Sequence, residues 1–226
     1  MAINKKLNSL FHKYIERGNK KILELGCAKS KRLIYFAKEY GYNIYGVDYS
    51  EKGVEIAIEN LKNAGVLGNI LCEDMFKTTL NSEYFDIVYS MGLLEHFNIP
   101  EKVINVHTKL LKKNGILIIT IPNFRGSIYF DLLKMRGKEK FILENHNLNI
   151  MNKKILNKIL NDKNVSILKL DYFGPLDFSS VFIGIRFKPI LYLLHIINQL
   201  LGYLTYYVPN SRYLSPYIVL VAKKLG

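Results

Sequence analysis

The chain of 226 residues is long enough for one sizeable α/β domain and short for two. Its 49% hydrophobic content and lack of low-complexity tracts exclude a disordered chain, and the formal net charge of +13 calls for an anionic counterpart: nucleic acid, an anionic membrane face or a phosphate-linked acceptor. The two cysteines, Cys27 and Cys72, show no CxxC spacing, which excludes a disulfide framework or thiolate metal site; both are expected as small buried apolar residues at strand ends.

Residues 1–17 have neither the continuous apolar core nor the small-residue cleavage site of a signal peptide, so a cytoplasmic location is expected. Ile3, Leu7, Leu10, Phe11, Tyr14 and Ile15 recur at helical spacing instead, predicting an amphipathic covering helix within residues 1–18. The apolar run Ile22-Leu23-Glu24-Leu25 then empties into Gly26-Cys27-Ala28-Lys29-Ser30 and a helical pattern. A second strand, Asn43 to Val47, ends on Asp48, and a third, Asn69 to Cys72, ends on Glu73-Asp74. A fourth, Phe85 to Ser90, runs into Met91-Gly92-Leu93-Leu94-Glu95-His96. A strand, a small-residue turn, a helix and an acid closing the next strand describe a nucleotide-type crevice at the carboxyl edge of a parallel sheet. The carboxylate of Asp48 suits a cis-diol, since it accepts two hydroxyl hydrogens. The helix start after Gly26 offers free N–H groups and a positive dipole end to an anionic group, and Lys29 adds charge there. Plainer roles stay open: Glu24 as a strand-end carboxylate capping amides, and Asp48-Tyr49-Ser50 as a helix N-cap.

Further along, Glu101 to Lys113 reads as a helix stopped by Asn114-Gly115, and Gly115 to Ile121 as a buried central strand. Residues 123–150 carry little periodicity after Met135. Met151 to Asp162 reads as a helix, Val165 to Tyr172 as a strand and Pro216 to Lys223 as the last strand. Between those two strands lies an apolar helical insertion, 178–212. From Pro189 to Ser211 it carries no charged residue, while His195, Asn198, Gln199, Gly202 and Thr205 form one narrow polar stripe. The stripe argues against a bilayer span. Burial against its own domain or in a homodimer is expected ahead of contact with a membrane surface, for which Arg186, Lys188 and Arg212 would be the flanking cations. In each version the helix packs beside the acceptor opening.

Glu24 to Ser30 resembles the acidic Gly-x-Gly-x-Gly motif of class I S-adenosylmethionine-dependent methyltransferases, with Ala28 and Ser30 where the second and third glycines usually stand. Phe85-Asp86-Ile87-Val88 resembles that family's fourth-strand motif, and Leu94-Glu95-His96 the segment after it in small-molecule members. The resemblance implies a single doubly wound, Rossmann-like α/β domain over 1–226, with strand order 3-2-1-4-5-7-6 and strand seven antiparallel. It implies S-adenosyl-L-methionine as cofactor, with Glu24, Gly26, Cys27, Ala28, Ser30, Asp48, Tyr49, Asp74, Met75, Ser90 and Met91 forming its site. Asp48 is then expected on the ribose hydroxyls, Tyr49 along the adenine and Asp74 on the adenine amino group.

The implied activity is methyl transfer to a small-molecule, glycan or lipid-linked acceptor. His96 and His146 are the candidate catalytic bases, and 123–150 is the acceptor-side segment, with Asn145 to Leu148 facing substrate. Each histidine also has a plain reading, His96 as a cap or packing residue and His146 as a loop histidine bonded to backbone. RNA methylation and a catalytically silent S-adenosylmethionine-binding module remain as alternatives. Nucleic acid is the weaker partner: Ser90-Met91-Gly92-Leu93 stands where base-amino methylating enzymes carry Asn or Asp before Pro-Pro-aromatic, and no cysteine follows a later strand. A dinucleotide oxidoreductase fits less well, because Gly26 to Lys31 fails Gly-x-Gly-x-x-Gly at two of three glycines. No metal is expected. Some quinone-pathway members hold a divalent ion with a Glu three residues before their Glu-His pair; Gly92 stands there, which leaves only Glu95 and His96 as ligands.

Overall fold

The computed structural model describes residues 2–29, 31–125, 127–178, 182 and 187–226. Seven strands, β1 (Lys21–Leu25), β2 (Asn43–Asp48), β3 (Gly68–Cys72), β4 (Phe85–Met91), β5 (Leu111–Pro122), β6 (Val165–Phe173) and β7 (Tyr217–Lys224), form one sheet in the order β3-β2-β1-β4-β5-β7-β6. The first five pair in parallel, and β7 runs antiparallel to both β5 and β6. This is the doubly wound sheet that the resemblance implied, with the antiparallel seventh strand.

Helices cover both faces. α1 (Ala2–Tyr14), α2 (Lys31–Tyr40) and α3 (Glu51–Asn63) bury Ile3, Leu7, Phe11, Leu33, Phe36 and Leu61 against Ile22, Ile44, Tyr89 and Val221. α4 (Pro100–Leu110) and α7 (Lys153–Asn161) bury Val103, Ile104, Leu156 and Leu160 against Leu23, Val88, Leu117 and Leu220. Burying such side chains contributes roughly 1.5–3 kcal/mol each. Successive strand residues point to opposite faces, so Ile22 and Leu23 divide between these two cores, and Glu24 points toward α1 and α2.

Several expectations need correction. The helix predicted to Lys113 ends at Leu110, because Leu111 turns extended, is fully buried and pairs with Phe85. Asn114 sits inside β5 with φ +64 instead of stopping a helix. Before Met135 lies α5 (Ile128–Met135), and beyond it, where little periodicity is expected, the chain forms α6 (Glu139–Asn145), the two held together by Leu133 and Ile142. Cys72, expected buried, is exposed, since β3 is the outer strand of the sheet; Cys27 is buried as expected.

The stretch between β6 and β7 leaves from the edge where β1 and β4 end, because Phe173 pairs with Tyr217 and Tyr217 lies beside Pro122. It forms α8 (Lys188–Leu204), which packs on α1. Asn198, Gly202 and Thr205 of its polar stripe face inward, whereas Gln199 is exposed. Asn198 Oδ1 accepts from Phe178 N at 2.7 Å, and its Nδ2 donates to Asp177 Oδ1 at 3.0 Å. Thr205 Oγ1 accepts from Leu176 N at 3.0 Å, and Gly202 is buried where a Cβ would come within 3.2 Å of Leu176 O. Own-domain burial therefore holds for the polar side of α8. Its apolar side is exposed.

Candidate active site

The turn after β1 is fixed by backbone geometry. Gly26 has φ +75, and a Cβ there would come within 3.0 Å of Leu93 Cδ1, so only glycine fits without strain. Gly26 N donates to Val47 O at 2.8 Å, and Ala28 N to Asp48 Oδ2 at 2.8 Å. Ala28 is not among the described residues with positive φ, so its departure from glycine costs no strain. Ser30 and Arg186 lie outside the described residues.

A cleft of about 440 Å³ opens beside this turn, bordered by Gly26, Asp48, Tyr49, Asp74 and Met75, with Leu93 and Phe97 opposite. Five of the expected cofactor residues therefore meet there. Phe76 and Phe97 also line it, their rings 5.6 Å apart edge to face, and the sequence reading had singled out neither. An aromatic just after each acidic or Glu-His segment was the available signal. The plainer readings hold alongside: Asp48 Oδ1 accepts from Ser50 N at 2.9 Å, and Ser50 Oγ caps α3 through Gly53 N. Asp74 caps its own turn through Phe76 N at 2.9 Å. A carboxylate has about four acceptor positions, so both acids keep capacity toward the cleft. Tyr49 stands at the rim, 83% exposed.

Three of the named side chains turn away from this cleft. Cys27 packs against Gly46, where a Cβ would come within 2.6 Å of its sulfur, so it offers the cleft only backbone. Ser90 is fully buried against α4, with Oγ 3.0 Å from His107 Nε2. His107 Nδ1 lies 2.8 Å from Val103 O and must donate to it, so Nε2 accepts from Ser90; burial pushes this imidazole down to about 4 and keeps it neutral. Met91 packs half-buried on the α1–α2 side.

Glu24 is buried and its Oε2 has no partner among the described residues. Burial pushes its carboxyl up to about 8, opposed by the Tyr89 hydroxyl and the Arg32 guanidinium and reinforced by Asp48. Arg32, which the sequence reading passed over, is fastened from α1: its Nη1 donates to Asn8 Oδ1 at 3.0 Å and its Nη2 to Asn4 Oδ1 at 2.7 Å. The covering helix thus sets a cation next to the strand-one acid.

A second, polar basin adjoins the first through the turn after β4. It holds Glu95, His96 and the 143–149 segment. Three bonds lock that segment in place: Asn147 N to Glu95 O at 2.6 Å, Asn147 Nδ2 to Phe97 O at 3.1 Å, and His96 Nδ1 to Asn145 O at 2.9 Å. The two candidate histidines lie together, ring centres 4.9 Å apart. His146 Nδ1 faces Ile142 O at 3.1 Å. A carbonyl only accepts, so both histidines carry hydrogen on Nδ1, which makes Nε2 the basic nitrogen of each ring. Burial, with His96 adding to it, lowers the His146 pKa below its ordinary value. Glu95 is buried, its Oε2 has no partner among the described residues, and burial pushes it up to about 7. The sequence count of two metal donors is thereby corrected to three: Glu95, His96 and His146 place ligand atoms within 4.8 Å of one another.

Residues 23–119 match the family described as "Methyltransferase domain". The ubiquinone biosynthesis O-methyltransferase of Coxiella burnetii (strain Dugway 5J108-111) is 30% identical over 129 residues, which cover 54% of this chain and 55% of that protein. The chain thus spans about half the length of the curated relatives it matches. Among solved structures, a SAM-dependent methyltransferase from Aquifex aeolicus superposes with TM-score 0.61 at 12% identity, covering 96% of this chain and 89% of the other. Geranyl diphosphate C-methyltransferase from Streptomyces coelicolor A3(2), in complex with Mg2+, geranyl diphosphate and S-adenosyl-L-homocysteine, superposes with TM-score 0.66 at 8% identity, covering 98% and 79%. The sheet order and the domain match over residues 23–119 make this chain similar to class I S-adenosylmethionine-dependent methyltransferases.

Proposed function

We propose that the protein transfers the methyl group of S-adenosylmethionine to an oxygen of a small-molecule acceptor. The observation that carries this is the junction of two cavities at the turn after β4, one bordered by Gly26, Asp48 and Asp74, the other by His96 and His146. The residues fit the cofactor part by part. Glu24, whose Oε2 has no partner among the described residues, suits its ammonium, Asp48 its ribose diol, and Met75 with Phe76 and Phe97 its adenine. Once bound, S-adenosylmethionine supplies an electrophilic methyl on a sulfonium, and the chain's task is to bring acceptor and methyl into line. Orienting reactants in this way lowers barriers by roughly 7–11 kcal/mol in well-aligned systems. His146 Nε2 takes the acceptor's proton as the oxygen takes the methyl, and the neutral thioether leaves. The O-methyltransferase name of the curated relatives favours oxygen over nitrogen or carbon.

The exposed apolar side of α8 favours a lipid-linked form of this acceptor over a glycan. An acceptor screen with methyl-labelled cofactor tests the reading: label should pass to hydroxyl compounds, most readily to those bearing a hydrocarbon tail. Cofactor binding with no transfer to any of them would favour the silent module, and transfer to RNA would favour the RNA alternative.

A further inference from the structure

We infer that the outer face of α8, together with the adjoining end of α1, docks on an anionic phospholipid surface. This goes beyond the reaction proposed above and does not depend on it. Leu193 is 56% exposed, Leu200 59%, Tyr203 71% and Leu204 71%, so the side of α8 opposite Asn198 and Gly202 shows water a continuous apolar band. An amphipathic helix on a water-soluble domain ordinarily buries its apolar side. Here that side is turned out and the polar stripe is spent on bonds to Leu176, Asp177 and Phe178. Exposed patches of this kind mark an interaction surface.

Charge decides what covers it. From Phe178 to Gly226 the sequence contains no Asp or Glu, and neither does α1; the charged residues on these helices are Lys5, Lys6, Lys13 and Lys188. Where α1 meets α8, a groove of about 540 Å³ is bordered by Lys5, Gln199, Leu200, Tyr203 and Tyr207. A cation, tyrosines and the aliphatic side chains of Ile196 and Leu200 around one opening match a phosphate headgroup with its acyl chains alongside. Juxtamembrane cations contribute about 1 kcal/mol each near an anionic leaflet, and tyrosine suits the boundary between hydrocarbon and water. A second copy of the chain is a poorer occupant: pairing this face with itself sets lysines against lysines, with no carboxylate on α1 or α8 to answer them. Among the described residues no helix is long and apolar enough to cross a bilayer, so the contact is interfacial.

The test is co-sedimentation of the full chain with vesicles of phosphatidylcholine alone or with 30% phosphatidylglycerol. Binding should be at least tenfold stronger to the anionic vesicles and should weaken as salt rises. The double variant Leu193→Glu/Leu200→Glu removes outward side chains only and should lose at least tenfold of that binding, while S-adenosylmethionine affinity, measured on the same sample, stays within twofold. Lys5→Glu should lower binding to anionic vesicles and leave the weak binding to neutral ones unchanged. The inference is overturned if native protein ignores anionic vesicles, if the double variant binds them as native does, or if sedimentation shows a dimer that the double variant dissolves. Unchanged cofactor affinity separates any of these from a failure of the methyl-transfer reading.

Discussion

Glu24→Gln should make the ligand-free protein more tolerant of alkali while weakening its hold on the cofactor. The Glu24 carboxyl is buried, lacks a partner for Oε2 among the described residues and is pushed from 4.5 to about 8 by that burial. A carboxyl whose folded value lies above its unfolded one contributes fully below the unfolded value and loses that contribution as pH rises through the folded value. At about 1.36 kcal/mol per unit, the loss between pH 5.5 and 8.5 comes to about 3 kcal/mol. Glutamine keeps the shape and carries no titrating proton, and the Tyr89 hydroxyl beside it can accept from the new amide. For a domain of this size about 1 kcal/mol moves Tm by roughly 2–4 °C, so the variant's Tm should gain roughly 6–12 °C on the native protein across that interval. Thermal melts of both proteins at closely spaced pH values, followed by circular dichroism, read this directly. Parallel curves would refute the buried, unpartnered carboxyl. Calorimetry should show the opposite ranking for S-adenosylmethionine, weaker in the variant by about 1.5–3 kcal/mol, the worth of a hydrogen bond to a charged group.

Asp48→Ala should weaken S-adenosylmethionine by at least ~1.5 kcal/mol in calorimetry; unchanged affinity in a folded variant would remove Asp48 from the site. His146→Gln should lower kcat by ~10²–10⁴, the usual range for a general base, with little change in the KM for S-adenosylmethionine; an equal loss in both would mark His146 as a binding residue. In the native enzyme a pH–rate profile should show kcat/KM falling on the acid side of the ordinary imidazole range, because the proton-accepting form of His146 is lost only as pH falls through a pKa that burial lowers from 6.5. Activity should survive EDTA: His96 Nε2 stands 3.9 Å from Glu95 Oε1, whereas a tetrahedral ion with bonds of ~2.0 Å needs donors about 3.3 Å apart. Full loss restored by a divalent ion would show that the three donors close on a metal.

The first three strands were legible because each is closed by a residue with a clear geometric use, and the fifth because it is an unbroken apolar run. Gly26 makes a turn only glycine tolerates, Asp48 and Asp74 close their strands as caps facing one cleft, and the run from Leu117 to Ile121 is buried on both faces. The site's second half was legible as residues and not as an arrangement. Sequence placed His96 and His146 fifty residues apart; only the bonds from Asn147 to Glu95 and Phe97 bring them together and add the third donor. α6 escaped notice because a helix of 7 residues offers too few turns to show a period. Arg32 lacked a signal as well, since its place beside Glu24 depends on Asn4 and Asn8 of a helix that packs back over α2. The α8 stripe was read in the right register, but a stripe does not say which of its sides meets the protein. Hydrogen bonds from residues 176–178 decide that, and they invert the usual arrangement.

The central claim is that the glycine turn, Asp48 and Asp74 hold S-adenosylmethionine. Titration calorimetry of the native chain with S-adenosylhomocysteine, the product of methyl transfer, tests it most directly. One molecule per chain, with affinity lowered at least tenfold in Asp48→Ala, is the predicted result. No binding to the native chain, or equal binding to both proteins, would contradict it.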